Sequence, residues 1–233
     1  MKQKRLLALE TSTPVARVGV FDIDGGACLA EASATSERHS SNLLRLCVDV
    51  TARAGVALSE LAAIACGAGP GSFTGLRVGF AVAKGFALPF GIPLMTVSSL
   101  QALARDMVAA DGDAAWLLPC LDAGKGQIYA AAFAPSGGAP ERRSEDWVVA
   151  PVAIADVAPG QGTLVFAGTG AVRYRAALQD ALGARARFVD VAGPSATSVA
   201  AYATERFRQG DFEDLNSVVP AYGRAPDITR PKR

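Results

Sequence analysis

The sequence has 233 residues, of which 50% are hydrophobic and 19% are charged. A chain of this size and composition buries a substantial core, which excludes an intrinsically disordered protein. The formal net charge of +1 gives no broad basic field, so a protein that binds nucleic acid on its own is not indicated. We expect any contact with RNA to be indirect or local.

We expect no targeting or membrane segment in this sequence. The apolar run before Glu10 has only four residues (6–9), too few for a signal peptide. The uncharged run from 85 to 104 contains Pro89 and Pro93, which argue against a membrane span. The 4 cysteines stand in mostly apolar stretches without a Cys-x-x-Cys pair, which predicts buried thiols. We therefore expect a cytoplasmic protein.

Apolar periodicity predicts a repeated α/β unit. Strands are expected at 5–12, 15–21 and 27–33, a helix at 39–54, a strand at 62–69, and helices from Thr74 and over 98–111. The stretch 115–133 then repeats the layout of 5–21, with Asp122 in the place of Glu10. A strand at 163–168 and helices at 171–182 and 195–208 follow.

This order predicts an α/β protein with a duplicated actin-like, ribonuclease H-like (ASKHA) fold. It has two βββαβα-type halves, of which the second is degenerate. The expected units are 1–112, 113–215 and a C-terminal tail at 216–233. Such a fold does not by itself assign an activity, so the site residues must decide.

A glycine-rich stretch, GAGPGSFTGLRVG (67–79), leads from a strand into a helix. Glycine loops at helix starts are suited to binding phosphate. Gly71 and Gly75 are nevertheless followed by no lysine until Lys84, and the dinucleotide pattern Gly-x-Gly-x-x-Gly also fails. Ser72 likewise lacks the Gly-x-Ser-x-Gly spacing of a hydrolase nucleophile.

Glu10 and Asp122 are candidates for a facing carboxylate pair that holds magnesium and a nucleotide. The hairpin after Glu10 has no glycine and contains Pro14, whereas Gly124 and Lys125 make the second hairpin better suited to an anion. Tight turns without a ligand are the alternative. His39 is the sole histidine, so a histidine-based metal site is not expected. It is interpreted as a capping or solvated residue, or as a partner contact.

Small residues recur at every fourth position of the helix from Thr74: Gly75, Gly79, Ala83 and Ala87. They form one narrow face that lets another element approach closely. The spacing alone leaves open whether that element belongs to the core or to another subunit.

Several motifs occur together in an order that resembles one known family. They are Leu7–Ser12, Arg38-His39-Ser40, Gly69–Gly79, Asp122 with Gly126 and Tyr129, Gly168-Thr169-Gly170, and Pro220-x-Tyr222-x-Arg224. By these motifs the chain resembles the TsaB (YeaZ) family. The resemblance is strong up to about residue 133 and weaker after it. It departs from the family pattern at Gln127, where an acid is common, and at Gly223, where leucine is common.

The resemblance implies a noncatalytic subunit of the machinery that threonylcarbamoylates N6 of adenosine 37 in tRNAs reading ANN codons. The implied partners are the transferase TsaD, as a heterodimer, the ATPase TsaE and the synthase that makes threonylcarbamoyl-AMP. ATP and magnesium would serve those partners, tRNA would be contacted indirectly, and the free chain would form a homodimer. The expected partner interface comprises Leu43, Cys47, Val50, Phe73, Gly75, Gly79 and Ala83.

Three other functions remain open at this point. Glu10 and Asp122 suit a self-contained actin-like ATPase or small-molecule kinase. An older glycoprotease label suggests a peptidase, and a dimeric scaffold unrelated to tRNA is the last possibility.

Overall fold

The computed structural model describes residues 4–35, 39–110, 114–136 and 139–223. Within these ranges twelve strands form two sheets: β1 (Arg5–Glu10), β2 (Val15–Asp22), β3 (Cys28–Thr35), β4 (Ala63–Gly69), β5 (Leu94–Ser98), β6 (Trp116–Gly124), β7 (Gln127–Ala130), β8 (Phe133–Ala134), β9 (Glu141–Arg142), β10 (Trp147–Val149), β11 (Leu164–Ala167) and β12 (Ala186–Phe188). The α-helices in these ranges are α1 (His39–Arg53), α2 (Phe73–Phe90), α3 (Ser99–Ala110), α4 (Thr169–Arg173), α5 (Arg175–Leu182) and α6 (Ala196–Gln209).

The two sheets repeat one topology. The first has the order β3-β2-β1-β4-β5, and the second follows β10-β7-β6-β11-β12, with β8 and β9 off this path. In each sheet the first strand pairs antiparallel with the next strand along the chain and parallel with a later one, as β1 does with β2 and β4. The predicted duplication is therefore confirmed, and Glu10 and Asp122 lie at matching positions on β1 and β6.

Helices cover both faces of the first sheet. On one face α1 and α2 bury Leu43, Phe80 and Phe86 against the sheet, in a core that includes Leu7 and Leu9. Alternate residues of the same strand, among them Leu6 and Ala8, point to the opposite face. This follows from the two-residue period of a strand. The second sheet is covered by α3 on one face and by α5 on the other.

Four strands, namely β5, β9, β10 and β12, were not anticipated from the sequence. The strand β5 runs directly into α3, and β12 has only three residues. The helix expected at 171–182 is also divided, because Tyr174 separates α4 from α5. The remaining predicted elements are found within a few residues of their expected bounds.

The helix α6 lies far along the chain but packs on the first sheet. Val199, Tyr202 and Ala203 of this helix are buried in the core that contains Leu6 and Met95. The second predicted unit, 113–215, thus includes a helix that covers the sheet of the first unit. The bound between these units, 112/113, falls among residues outside the described ranges.

A carboxylate fixes the start of α6 to α3. The Asp106 Oδ2 atom accepts a hydrogen bond from the Ser195 backbone N–H at 2.8 Å, and Oδ1 accepts from the Ser195 and Ser198 hydroxyls at 2.7 and 2.6 Å. Burial raises the pKa of Asp106, while these hydrogen bonds oppose that rise. Ser195 is the N-cap of α6, since its hydroxyl oxygen accepts the Ser198 N–H at 3.0 Å, and Asp106 ties this cap to α3.

Other sequence predictions are placed as follows. Three of the cysteines predicted to be buried are so: Cys47, Cys66 and Cys120. Burial raises the pKa of the Cys47 thiol to about 12. The prediction was wrong for Cys28, which is exposed. None of the described helices is long and apolar enough to span a membrane. The predictions for Arg38, for the side chain of His39 and for the tail beyond residue 223 lie outside the described residues.

Candidate functional site

The glycines of α2 allow this helix to lie directly against the end of β1. A Cβ atom on Gly75 would contact the backbone oxygen of Thr11, and one on Gly79 would contact the Thr11 side-chain oxygen. Both contacts are closer than side chains tolerate, so only glycine permits this approach. The small-residue face of α2 therefore packs within the chain.

Two glycines before α2, Gly67 and Gly71, allow the chain to lie directly against Glu10 and Ser12. A Cβ on Gly71 would lie 2.6 Å from the Ser12 Cβ, and one on Gly67 would lie 2.7 Å from the Glu10 carboxyl carbon. Glycines at four-residue intervals, from 67 to 79, thus surround the segment 10–12. The loop is built for close packing on this segment.

Backbone N–H groups at the start of α2 already have partners within the chain. The Ser72 N–H donates to the Ser12 backbone oxygen at 2.7 Å, and the Gly75 N–H donates to the Ser72 hydroxyl oxygen at 3.2 Å. Ser72 acts as the N-cap of α2. A phosphate would have to displace these contacts, so the geometry favours the packing interpretation of the glycine loop.

Glu10 is completely buried. Its Oε1 atom accepts the Ser12 N–H at 2.6 Å and its Oε2 atom accepts the Ser99 hydroxyl at 3.0 Å. Burial raises the pKa of Glu10, while the hydrogen bonds from Ser12 and Ser99 and the charge of Arg17 oppose the rise. The predicted role as a metal or nucleotide ligand is not supported, because the carboxylate has no exposed surface.

Asp122 is held by its own half of the molecule. Its Oδ2 atom pairs with Arg173 at 2.7 Å, and its Oδ1 atom accepts the Tyr174 hydroxyl at 3.2 Å and the Gly124 N–H at 2.9 Å. The Thr169 hydroxyl accepts the Asp122 backbone N–H at 3.1 Å. Asp122 and Gly124 are therefore engaged with each other and with α4, and Asp122 shares no hydrogen-bond partner with Glu10.

No group of three or more His, Cys, Asp or Glu side chains among the described residues is arranged to hold a metal ion. Glu10 and Asp122, considered from the sequence as a facing pair, belong instead to two separate hydrogen-bond networks. Each network ties a strand end to a nearby helix.

The predicted partner interface needs correction. Leu43, Cys47, Val50 and Ala83 are at most 2% exposed, and Gly75 and Gly79 are also buried. They form the contact of α1 and α2 with the first sheet and have no surface for a partner. Phe73, at 47% exposed, is the one predicted interface residue that reaches the surface.

The outward faces of α1 and α2 carry a different set of apolar residues. On α1, Leu44 and Val48 are 48% and 45% exposed, with Ala52 one turn further along. On α2, an exposed row at four-residue spacing contains Phe73, Arg77, Ala81 and Gly85. We call these residues together the α1–α2 outer face. The four-residue spacing of these rows can be read from the sequence. Periodicity alone does not show which row of a helix faces the sheet and which faces solvent.

The segment after α6 returns to the glycine loop. The Ala221 N–H donates to the Ala68 backbone oxygen at 2.8 Å, and the Tyr222 ring lies 4.9 Å from the Phe73 ring between centroids. A Cβ on Gly223 would lie 2.6 Å from the ring of Tyr129 on β7. The described end of this segment therefore contacts both halves of the molecule.

The repeated sheet order, with one acid at the end of the first strand of each half, defines a duplicated α/β protein of the actin-like class. A family model described as "TsaD: tRNA N6-adenosine threonylcarbamoyltransferase" matches residues 32–224. The tRNA threonylcarbamoyladenosine biosynthesis protein TsaB of Escherichia coli (strain K12) is 33% identical over 129 residues. The chain belongs to this family, in its TsaB (YeaZ) branch.

Solved structures agree over the whole fold. The YeaZ structure from Pseudomonas aeruginosa matches with a TM-score of 0.79 and 28% identity, covering 94% of this chain and 99% of that one. A structure titled as an uncharacterized protein with similarity to peptidase YEAZ, from the same organism, gives a TM-score of 0.82 and 28% identity, covering 95% and 100%. The match with E. coli TsaB covers 55% of this chain and 54% of the relative, so the chain spans about half the length of the curated relative it matches.

Replacement of Gly79 by alanine should destabilise the fold, because the new methyl group collides with Thr11. We expect a loss of about 1–3 kcal/mol in the free energy of unfolding, measured by urea denaturation. The matched control is Gly85→Ala on the same helix, where a Cβ meets nothing within 4 Å. That variant should gain about 0.5–1 kcal/mol. Equal effects at the two positions would contradict the packing role of Gly79.

Replacement of Glu10 by glutamine should change how stability depends on pH. Because the folded-state pKa lies above the ordinary value of 4.5, Glu10 contributes stability that is present below pH 4.5 and is lost as pH rises through the folded-state pKa. The unfolding free energy of Glu10→Gln should therefore increase relative to that of the original chain over this range. Ser99→Ala, which removes a hydrogen bond to the carboxylate, should extend the loss to higher pH. A difference that does not vary with pH would refute this assignment.

Proposed function

We propose that the chain is a noncatalytic subunit in the biosynthesis of threonylcarbamoyladenosine in tRNA. In this role it supports the modification of N6 of adenosine 37 in tRNAs that read ANN codons. The membership of the family supports the pathway, since the relatives at 33% to 37% identity named TsaB are biosynthesis proteins of this nucleoside. The transferase TsaD is the proposed partner.

The observation that carries the role of a partner subunit is the α1–α2 outer face. Leu44, Val48 and Ala81 place apolar groups in solvent on two adjacent helices, while the buried faces of the same helices are already used by the sheet. Exposed apolar side chains on two helices that pack side by side favour an interaction site. Ala81 and Gly85 are small enough to let a helix of TsaD approach the α2 backbone closely.

The state of the two acids supports a noncatalytic role. Glu10 has no exposed surface and Asp122 is paired with Arg173, so neither carboxylate is offered to a substrate or a metal ion. The alternative of a self-contained ATPase or kinase depended on those two residues and receives less support. The proposed transfer chemistry therefore takes place on TsaD.

The remaining features of the proposal follow from the complex. ATP and magnesium are used by the partners, namely TsaE and the synthase that forms threonylcarbamoyl-AMP, and this chain has no cofactor of its own. The α1–α2 outer face also serves for pairing of two copies when TsaD is absent. We propose a cytoplasmic location, where tRNA is modified.

The proposed function is tested by omission from a reconstituted reaction. Unmodified tRNA, threonine, bicarbonate, ATP, the synthase, TsaD and TsaE are combined with and without this chain, and the modified nucleoside is quantified by mass spectrometry. We expect modification only when this chain is present, and none from this chain alone. Full modification in its absence would refute the proposal.

The proposed docking surface is tested by charge introduction. Val48→Glu and Ala81→Glu should each lower the affinity for TsaD at least tenfold, equivalent to about 1.4 kcal/mol, because a carboxylate is desolvated in an apolar contact. Titration calorimetry measures the affinity, and sedimentation measures the pairing of the free chain. The control is Val152→Glu, at a position 69% exposed on a short 3₁₀ helix of the second half. An equal loss in the control would exclude the α1–α2 outer face as the specific surface.

A further inference from the structure

The segment that follows α6 covers the edge of the first sheet. In the order β3-β2-β1-β4-β5 the strand β5 lies at the edge, and an uncovered edge strand tends to pair with other chains. The Glu213 backbone N–H donates to the Leu94 backbone oxygen at 2.8 Å, and the Glu213 carboxylate accepts the Thr96 hydroxyl at 2.6 Å. Arg206, in the last turn of α6, donates to the Thr96 backbone oxygen and to Glu213. We call residues 211–223 the strap.

The strap lies on the same face of the first sheet as α1 and α2. Leu215 and Val218 of the strap pack against the core that these two helices form with the sheet. The helix α1 packs on β2 and β3, and α2 packs chiefly on β4, whereas the strap is bonded to β5. Because the strands follow one another in that order across the sheet, the strap lies on the side of α2 opposite to α1.

The strap runs beside α2 from the end of this helix to its start. Glu213 contacts β5, which begins four residues after α2 ends. At the start of α2 the Ala221 N–H donates to the end of β4 at 2.8 Å, and the Tyr222 ring lies 4.9 Å from the Phe73 ring between centroids. Between these two anchored points the side chain of Val219 is 69% exposed. A segment fixed at both ends thus holds an apolar group in solvent.

The exposed row of α2 is bordered by larger apolar side chains on both sides. The middle of this row has the small residues Ala81 and Gly85, and a Cβ on Gly85 would meet none of the described atoms within 4 Å. Leu44 and Val48 are exposed on α1 at one side, and Val219 is exposed on the strap at the other. A row of small residues between two apolar borders is suited to the apolar face of a helix.

We propose that the strap is the third element of the docking surface, and that Val219 contacts the helix of TsaD that lies on α2. The inference rests on the proposed function, which provides TsaD as the occupant. Continuity with the α1–α2 outer face supports this choice, because Tyr222 of the strap packs on Phe73 of that face. A helix that covers Ala81 and Gly85 between the two borders also buries Val219.

Substitutions at Val219 test this contact by titration calorimetry with TsaD. Val219→Glu should lower the affinity at least tenfold, because the carboxylate is desolvated in an apolar contact. Val219→Ala should lower it about threefold, through the loss of apolar contact area. The matched control is Val172 on α4 of the second half, a valine that is 70% exposed. Val172→Glu and Val172→Ala should change the affinity less than about twofold.

Hydrogen exchange measured by mass spectrometry provides a readout without substitution. On binding of TsaD, exchange should slow in the strap peptide 216–223 together with the α1 peptide 44–52, because one bound helix shields both from water. The peptide 147–157 of the second half is the control and should exchange at the same rate in the free and bound chain.

Three outcomes would overturn the proposal. The first is an equal loss of affinity at Val219 and Val172, and the second is protection of 44–52 without protection of 216–223. The third is a Val219→Glu variant that keeps its full affinity for TsaD but loses the pairing of the free chain in sedimentation, which would assign the strap to a second copy.

Failure of the proposed function is read separately, from modification that proceeds when the chain is omitted. If omission abolishes modification and Ala81→Glu loses TsaD while Val219→Glu binds it normally, the strap contact alone is refuted.

Discussion

The close approach of α2 and its preceding loop to the end of β1 is the contact on which the rest of the molecule depends. Thr11 lies where side chains on residues 75 and 79 would be, and Glu10 and Ser12 lie where side chains on 67 and 71 would be. Four glycines spaced by four residues are thus a steric requirement of one strand end. Once α2 is held there, Glu10 is enclosed by the loop and Ser99, and the opposite side of the helix faces solvent.

The acid near the end of the first strand has a structural role in each half of the molecule. The acid at the end of the first strand is present in both halves, yet Glu10 is closed over by glycines, and Asp122 is neutralised by Arg173 from α4. In both positions the carboxylate now organises backbone N–H groups of its own hairpin. On our functional proposal, the chain has the fold of an enzyme family but uses its surface for assembly. Its two acids then hold strand ends and helices in place and do not act on a substrate.

The sequence allowed much of the fold to be predicted, because most elements have a clear period. The spacing of Leu43, Cys47 and Val50 places them on one side of α1, but this side packs on the sheet, not on a partner as had been expected. The acids at 10 and 122 reveal the duplication. The strand β5 was missed because Leu94–Ser98 is apolar and joins α3 without a turn residue, so no change of period marks its end.

The candidate site could be predicted from the sequence to a smaller extent than the fold. Spacing placed Gly75, Gly79 and Ala83 on one face, but only the tertiary structure shows that this face meets Thr11. The partners of the two acids, Ser99 and Arg173, stand 89 and 51 residues away in the chain.

The position of α6 has a consequence for how the chain folds during synthesis. One face of the first sheet is complete early, since α1 and α2 follow its strands closely in sequence. The other face receives Val199, Tyr202 and Ala203 from α6, whose start is anchored by Asp106 of α3. The ribosome must therefore produce both halves before Leu6, Ala8 and Met95 are fully covered. Because α6 of the second half packs on the sheet of the first, the two halves depend on each other. A fragment that stops between them would leave an apolar face of the first sheet exposed to the chaperones of the cell.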